Sequence, residues 1–247
     1  MAYQERPERE RDFHNKRFGA VEERRQDSFY FAAQPATDAY WQLLRETAPG
    51  KTALEYGCAD GENSIRLAPF AKKITGIDIS DVAIQKAKNE AARRRINNVA
   101  FRIDNAEEMS LPSATFVFVF GAGILHHLIL DNALREIHRV TRPSGNAIFF
   151  ESLGHNPLIN MYRNWTPEAR TIDEHPLLKS DFDIVRKHFS KCDLQFFGLS
   201  TLASIPFRRS VLGRTVRAIG KQADNVLLKV PGLRWQAWIA VRALEAS

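Results

Sequence analysis

The chain of 247 residues has only two cysteines, Cys58 and Cys192, and neither belongs to a cluster with metal-ligand spacing. Two isolated cysteines provide no disulfide framework, so we expect a reducing, cytoplasmic location and no metal site. The sequence contains no run of 18 or more apolar residues, and its first residues lack a continuous apolar segment. We therefore expect neither a membrane-spanning helix nor a standard export signal.

Positive charge is concentrated toward the C-terminus. The formal net charge is +6, and between residues 186 and 242 eleven Lys or Arg stand against two acidic residues. Such a bias often reflects a solvated face. The sequence has no known nucleic-acid-binding motif and no basic surface pattern with aromatic residues between the basic ones, so we expect no nucleic-acid partner. A predicted helix at 207–221 has Leu212, Val216 and Ile219 on one face and basic residues on the other. This pattern is compatible with weak peripheral membrane contact, although such a face more often packs on the protein's own core.

Apolar runs and helical patterns alternate from residue 52 onward, which is typical of a parallel sheet with helices on its faces. Beyond residue 153 the pattern changes to a long insert, which we interpret as the substrate side because long connections above strand ends commonly carry function. The sequence predicts strands at 52–56, 73–78, 99–103, 115–120, 146–152, 194–199 and about 235–244, helices at 61–71, 80–94, 130–140 and 179–190, a substrate-side insert at about 153–178, and a basic helical insert at about 203–230.

Residues 1–48 are predicted to form a helical extension that precedes a domain of residues 49–247. The first 27 residues carry seven acidic and seven basic side chains, and a helix predicted at 36–48 ends before Pro49-Gly50. One interpretation is a lid that folds over a ligand, and the other is a solvated helix packed on the domain edge. In the first case Phe13, Phe18, Phe29 and Tyr30 would supply the apolar contacts.

A glycine-punctuated turn, Gly57-Cys58-Ala59-Asp60-Gly61, lies between the first predicted strand and the following helix, and Asp78 ends the next strand. Small residues allow a ligand to approach the backbone, and the first turn of a helix adds unpaired N–H groups. A carboxylate about twenty residues later can accept hydrogen bonds from both hydroxyls of a ribose. The next two strands end in Asp104-Asn105-Ala106 and Gly121-Ala122-Gly123. These four strand ends together predict a bound nucleoside.

In this order the motifs resemble those of class I S-adenosylmethionine-dependent methyltransferases, over roughly residues 50–155. Glu55 to Gly61 is similar to the acidic, glycine-rich first motif, Ile77-Asp78-Ile79-Ser80 to the ribose-binding second strand, and Arg142-Pro143-Ser144-Gly145 to the turn before the fifth strand. Residues 123–128 and 151–160 resemble a bacterial subgroup that methylates small molecules. The resemblance implies an α/β, Rossmann-like fold with a seven-stranded, mostly parallel sheet, one antiparallel strand and helices on both faces.

Three positions depart from the family's pattern. Ala59 stands where the middle glycine is usual, Val117 where an aspartate is common, and Ser144 where a second glycine is common. A left-handed backbone at Ala59 would cost roughly 1–2 kcal/mol, which a stable domain tolerates. None of the three substitutions argues against an active enzyme.

The resemblance also implies a cofactor, S-adenosylmethionine, with S-adenosylhomocysteine as the product. Its methionine part would lie along the glycine turn, its ribose on Asp78 and its adenine on the third strand end. The implied cofactor-binding residues are Glu55, Tyr56, Gly57, Cys58, Ala59, Gly61, Asp78, Ile79, Asp104, Asn105, Ala106 and Gly121.

Methyl transfer from a sulfonium is an in-line displacement, so a base is needed only when the acceptor is a hydroxyl or a carbon acid. Candidate bases are His126 and His127 after the fourth strand and His155 after the fifth, since histidine transfers protons near neutral pH. The alternatives are that one of the adjacent pair braces its loop and that His155 with Asn156 caps the insert's first turn. Candidates for the acceptor pocket are Phe29, Tyr30, Tyr162, Arg163, Arg170 and His175, with ion pairing to nearby acids as the alternative for the two arginines.

The leading hypothesis is therefore a methyltransferase that acts on an N, O or C nucleophile of a small molecule in a biosynthetic or secondary-metabolic pathway. A nicotinamide-dependent oxidoreductase also has a glycine turn and a later acid, but Gly57-x-x-x-Gly61 lacks its six-residue fingerprint. The pattern is also compatible with a membrane-associated methyltransferase that has a lipid-like or isoprenoid acceptor, and with a non-catalytic nucleoside-binding module of the same fold. The sequence does not predict the oligomeric state.

Overall fold

The structure, a computed structural model, describes residues 2–19 and 27–246, and these residues form seven strands and eight α-helices. The strands are β1 (Thr52–Tyr56), β2 (Lys73–Asp78), β3 (Val99–Ile103), β4 (Phe116–Ala122), β5 (Thr141–Ser152), β6 (Lys191–Phe197) and β7 (Ile239–Glu245). The α-helices are α1 (Ala2–Gly19), α2 (Asp27–Thr47), α3 (Glu62–Leu67), α4 (Asp81–Arg93), α5 (Leu130–Val140), α6 (Pro157–Trp165), α7 (Asp181–His188) and α8 (Val211–Leu227). The 3₁₀ helices are η1 (Leu125–His127), η2 (Pro167–Ala169), η3 (Thr201–Phe207) and η4 (Leu233–Gln236).

The strands form one sheet in the order β3-β2-β1-β4-β5-β7-β6. The first five strands in this order are parallel, whereas β7 runs antiparallel to both β5 and β6. The predicted fold, a mostly parallel seven-stranded sheet with one antiparallel strand, is therefore confirmed. The strand order reverses between β1 and β4, and ligands of such sheets bind at this point, beyond the carboxyl ends of the strands.

Alternating side chains of the central strands pack against helices on opposite faces of the sheet. Phe118 and Phe120 of β4 lie in a buried cluster with Tyr40 and Leu44 of α2. Val119, between them, lies in a second cluster with residues of α5 and α7. Successive side chains of a strand point to opposite faces, so the apolar runs of the central strands supply both halves of the core.

Helix α6 lies inside the predicted substrate-side insert, where the sequence pattern predicted no helix. Asn156 caps it, because its side-chain oxygen accepts hydrogen bonds from the N–H groups of Leu158 and Ile159 at 3.0 and 3.1 Å. Pro157 occupies the first helical turn, where a missing N–H costs nothing. The sequence offered both His155 and Asn156 as capping residues, and in the structure Asn156 caps the helix.

Helix α8 contacts the rest of the domain through its glycines and Asp224. A Cβ added to Gly213 would lie 2.3 Å from the carbonyl oxygen of Phe207, so the helix approaches η3 at a distance that only glycine permits. The carboxylate of Asp224 accepts the N–H of Ser200 at 2.6 Å. Leu212 and Ile219 consequently remain 59% and 65% exposed, and the expectation that this apolar face packs on the core is wrong. Within the described part of the chain, no helix has the length and apolar character needed to cross a bilayer.

Candidate functional site

A cavity of about 580 Å³ opens at the carboxyl ends of β1 to β4, where the strand order reverses. Small-molecule sites typically measure about 300–1,000 Å³. Helix α1 and the start of α2 line one side of the cavity, and α6 with the following insert residues lines another. Eight of the predicted cofactor residues line it: Gly57, Cys58, Ala59, Asp78, Ile79, Asp104, Asn105 and Ala106.

The turn after β1 has a left-handed backbone at three positions. The φ angles of Gly57, Ala59 and Gly61 are 72°, 49° and 80°. Ala59 thus adopts a left-handed conformation that glycine reaches without strain, at a cost of roughly 1–2 kcal/mol. A Cβ on Gly57 would lie 2.7 Å from Cγ1 of Ile124, so a larger residue there would displace the neighbouring loop.

Asp78 connects this turn to the beginning of α4. Its carboxylate accepts the N–H of Ala59 at 2.8 Å and that of Ser80 at 2.9 Å. Burial raises the pKa of Asp78 above its ordinary value, and these backbone hydrogen bonds oppose the rise. Because Asp78 also lines the cavity, one side chain both holds the turn and presents acceptor oxygens to a ligand.

Four predicted cofactor residues lie behind the cavity wall and do not line it: Glu55, Tyr56, Gly61 and Gly121. Glu55 is completely buried and accepts hydrogen bonds from the N–H and hydroxyl of Ser64 at 2.9 and 2.5 Å. The hydroxyl of Tyr56 donates to the carbonyl of Ala106. The structure places Glu55 against the first turn of α3, where it satisfies a backbone donor of the helix.

Glu55 also provides a pH-dependent contribution to stability. Burial raises its pKa from 4.5 to about 8, although the hydrogen bonds from Ser64 oppose the rise. A raised pKa means that the folded state binds the proton more tightly than the unfolded state, so stability from this group is full below pH 4.5 and is lost as the pH rises through 8. We expect Glu55→Gln, which stays neutral and keeps an acceptor oxygen for Ser64, to remove this loss.

Between pH 5 and pH 8, we expect the free energy of unfolding of the wild type to decrease relative to that of Glu55→Gln. The decrease should be up to about 1.4 kcal/mol per pH unit. Urea unfolding at several pH values measures it. Glu62→Gln is the matched control, because Glu62 is an exposed carboxylate on α3 and its replacement leaves Glu55 unchanged. If the free energy of unfolding depends on pH in the same way in Glu55→Gln and in the wild type, then Glu55 is ionised in the folded protein.

His126 forms a buried pair with Glu151. Its Nδ1 lies 2.7 Å from Oε2 of Glu151, and Oε1 accepts the N–H groups of Ile124 and Leu125 at 3.0 and 2.9 Å. Burial opposes ionisation of Glu151, but the hydrogen bond and charge of His126 outweigh it, and the pKa of Glu151 is lowered. In the neutral form of His126, an ionised Glu151 favours the tautomer that carries its proton on Nδ1. The imidazole, which lines the cavity, then has its lone pair on Nε2.

His127 also lines the cavity and faces helix α1. Its ring lies 4.4 Å from that of His126, and its Nδ1 is 3.5 Å from a carboxylate oxygen of Glu10. Burial lowers the pKa of His127, against the opposing effect of Glu10.

His155 lies away from the cavity and accepts the N–H of Lys179, and His175 pairs with Asp181 at 3.3 Å. The structure thus brings together two of the three candidate bases.

Five of the six predicted acceptor residues line the cavity, and His175 does not. Phe29 packs on Tyr162 with 4.1 Å between ring centroids, and Trp238, which was not predicted from the sequence, lies 5.7 Å from Phe29. Arg163 is held by the carbonyl of Leu153 at 3.0 Å. Burial lowers the pKa of Arg163 to about 10. This end of the cavity is therefore aromatic.

Helix α1 contributes cavity-lining residues that were not predicted from the sequence, among them Arg6, Glu10 and His14. Their spacing of four places them on one face of a helix, which is the signal that could have revealed them. Arg6 pairs with Glu107 at 2.5 Å and also donates to the carbonyl of His127.

Polar contacts hold α1 on both sides of the cavity. Near its C-terminal end, the amide of Asn15 donates to Asp81 at 2.7 Å. Nearer its N-terminus, Arg9 pairs with Asp173 of the insert at 3.0 Å. The helix consequently lies across the cavity from α4 to the insert.

A family model described as a methyltransferase domain matches residues 47–188, more than half of the chain. The chain is 33% identical over 99 residues to 27-O-demethylrifamycin SV methyltransferase of Amycolatopsis mediterranei, covering 39% of this chain and 36% of that protein. It is 29% identical over 107 residues to demethylmenaquinone methyltransferase of Geobacillus stearothermophilus, covering 42% of this chain and 46% of the relative. The chain thus spans less than half the length of these two relatives.

A solved structure supports the fold independently. Phosphoethanolamine N-methyltransferase 2 of Haemonchus contortus, in complex with S-adenosyl-L-methionine, superposes with a TM-score of 0.61 and 15% identity. The superposition covers 85% of this chain and 52% of that chain. At this identity the likeness shows a shared Rossmann-like fold.

Proposed function

Because the chain belongs to the methyltransferase domain family, with the class I fold of S-adenosylmethionine-dependent members, we propose that it transfers a methyl group from S-adenosylmethionine to a small molecule. The observation that carries the proposal is the position of Asp78. Its carboxylate fixes the glycine turn and lines a cavity formed at four strand ends. This is the arrangement that a ribose and a methionine chain require.

The lining residues fit the cofactor. Asp78 offers acceptors for the ribose hydroxyls, Asp104 to Ala106 offer polar groups for the adenine, and the turn at 57–59 allows close approach of the methionine part. When bound, the cofactor supplies an electrophilic methyl on a positively charged sulfur. The chain's own contribution is to hold the acceptor in line with that methyl group and to exclude water, which is worth roughly 7–11 kcal/mol.

We propose His126 as the base for a hydroxyl or carbon-acid acceptor. Glu151 orients the ring and keeps its proton on Nδ1, so Nε2 can take a proton from the acceptor and the imidazolium is stabilised by the carboxylate. A neutral amine would need no base. The aromatic end formed by Phe29, Tyr162 and Trp238 supports an acceptor with a flat or apolar body.

Titration calorimetry with S-adenosylmethionine, S-adenosylhomocysteine and NAD tests the proposal. We expect saturable binding of the first two at one site per chain and none of NAD. Binding of NAD without S-adenosylmethionine would favour the oxidoreductase alternative. Binding of the sulfonium ligand with no methylated product in a screen of cell extracts would favour the non-catalytic module.

We also propose that the protein acts at a membrane surface on an apolar acceptor. Exposed apolar side chains of α8, including Leu212 and Ile219, form a stripe near exposed basic residues of the same segment. Arg217, on the basic side of α8, donates to the carbonyl of Phe31 at 3.0 Å, and this contact attaches the helix to the start of α2, near the aromatic end of the cavity. The named substrate of one relative, demethylmenaquinone, belongs to this apolar class. Two free thiols support a reducing, cytoplasmic location.

We expect the protein to sediment with anionic phosphatidylglycerol vesicles at low salt and to bind neutral vesicles less. The double variant Leu212→Ser/Ile219→Ser should bind at least about tenfold more weakly, because each buried side chain contributes about 1.5–3 kcal/mol. Ile172→Ser is the matched control, since Ile172 is an apolar residue 93% exposed elsewhere on the surface. If the wild type does not bind, or if both variants lose binding equally, α8 is not a membrane contact.

A further inference from the structure

Three potential metal ligands converge where helix α1 crosses η1. Glu10 and His14 are one helical turn apart on α1, and His127 is the last residue of η1. Nε2 of His14 and Nδ1 of His127 lie 3.4 and 3.5 Å from the same carboxylate oxygen, Oε2 of Glu10. The ligating atoms of all three side chains lie within 4.8 Å of one another.

Two members of this group, Glu10 and His127, are buried and have polar atoms that lack well-formed hydrogen bonds. Glu10 is 6% exposed and His127 is 7% exposed. Among the described residues, none forms a well-aligned hydrogen bond with either carboxylate oxygen of Glu10 or with Nδ1 of His127. A buried carboxylate without full hydrogen bonding is costly, and a cation between the three side chains would engage an oxygen of Glu10 and Nδ1 of His127 together.

We propose that Glu10, His14 and His127 bind one divalent transition-metal ion of the zinc class. Two imidazoles and a carboxylate suit this class, whereas magnesium and calcium prefer sites made of oxygen ligands. Three protein ligands leave a fourth position of a tetrahedral ion open. All three residues line the cavity, so a water molecule or an oxygen of a bound molecule can take that position.

The proposed site differs from the expectation from the sequence that the chain binds no metal, an expectation that relied on the number and spacing of cysteines. Glu10 and His14 do have the i, i+4 spacing that places two ligands on one helix face. The third ligand comes from a distant part of the chain. Only the packing of α1 on η1 brings His127 to the other two.

A second group, His126, His127 and Glu174, also has its ligating atoms within 4.8 Å. It shares His127 with the first group, so the two sets compete for one side chain. Nδ1 of His126 is already engaged by Glu151 at 2.7 Å. The atoms without hydrogen bonds are those of Glu10 and His127, and they favour the first group.

Bound metal would fasten α1 over the cavity. Arg6 already connects the helix to Glu107, and a metal bridge to His127 would add a second buried attachment nearby. A ligand that binds the folded protein more tightly than the unfolded chain stabilises the fold. Zinc should therefore raise the melting temperature of the full-length protein as well as bind to it.

Zinc titration of the metal-free, full-length protein against a chromophoric chelator tests the site. We expect one ion per chain, and a tetrahedral absorption spectrum when Co²⁺ replaces Zn²⁺. Glu10→Gln and His14→Gln should each weaken binding at least about tenfold, the loss that even partners of metal ligands commonly cause. The increase in melting temperature should disappear in the same two variants.

Glu8→Gln and Glu174→Gln are the controls, and both should bind zinc as the wild type does. Glu8 is an exposed carboxylate on the same helix, and Glu174 belongs to the competing group. The proposal is overturned if the wild type takes up no ion, if Glu10→Gln and His14→Gln retain full affinity, or if Glu174→Gln alone loses it. Circular dichroism checks that each variant is folded. If Glu10→Gln does not fold, the zinc affinity of His14→Gln tests the site instead.

Discussion

Asp78→Ala is expected to weaken the binding of S-adenosylmethionine at least about tenfold, a loss of about 1.4 kcal/mol or more. The substitution removes the proposed acceptor of the ribose hydroxyls. It also releases the N–H groups of Ala59 and Ser80, which the carboxylate holds at 2.8 and 2.9 Å. The turn that should contact the methionine part is then less well ordered. Titration calorimetry measures the affinity directly.

Asp78→Asn separates the two effects of this substitution. The amide retains one acceptor oxygen and nearly the same size, so it should preserve much of the turn while losing the negative charge. We expect Asp78→Asn to be closer to the wild type in thermal stability than Asp78→Ala is. Its affinity for S-adenosylmethionine should still be reduced. An unchanged affinity in Asp78→Ala would mean that the nucleoside binds elsewhere.

His126→Gln is expected to lower kcat by about 10²–10⁴-fold for a hydroxyl or carbon-acid acceptor, because a positioned base contributes this much. Glutamine can occupy the space and donate to Glu151, but it cannot take a proton. The affinity for S-adenosylmethionine should not change, since His126 is not among the residues proposed to hold the nucleoside. The rate of S-adenosylhomocysteine formation measures kcat, with an acceptor identified by its gain of one methyl group.

Two further variants define the role of the histidine pair. Glu151→Gln leaves His126 in place without its anionic partner, so kcat should fall, but less than in His126→Gln. His127→Gln should have a smaller effect on kcat, because His127 faces Glu10 and His14. If His126→Gln and His127→Gln both retain full turnover, the reaction depends on positioning alone or on a different base.

Much of the fold followed from the sequence because the central strands and helices have strong local patterns. The predicted bounds of β1, β2, β3 and α5 agree with the structure, since each begins and ends at a clear change of pattern. Helix α6 was missed because it is short and lies among prolines. The exposed face of α8 was misjudged because the helix packs through glycines, whose contribution to an interface a hydropathy pattern does not reveal.

The candidate site was predictable where strand topology determines it. Asp78 and Asp104 follow parallel strands, so the fold carries both to the same edge of the sheet. Whether a residue faces the cavity or the core depends on local backbone geometry, which the sequence pattern does not give. Glu55 was therefore predicted to contact the cofactor, although it lies behind the cavity wall. The contact between α1 and His127 joins segments far apart in sequence, and no local pattern predicts such a contact.

The position of α1 across the cavity has a kinetic consequence. We expect α1 to act as a gate, with the contacts from Arg6, Arg9 and Asn15 released when a molecule beneath the helix is exchanged. A gate of this kind slows entry and departure by the same factor, because both directions cross one barrier. The residence time of a bound molecule is then determined largely by the opening of the gate, whereas its equilibrium affinity is determined by the residues beneath.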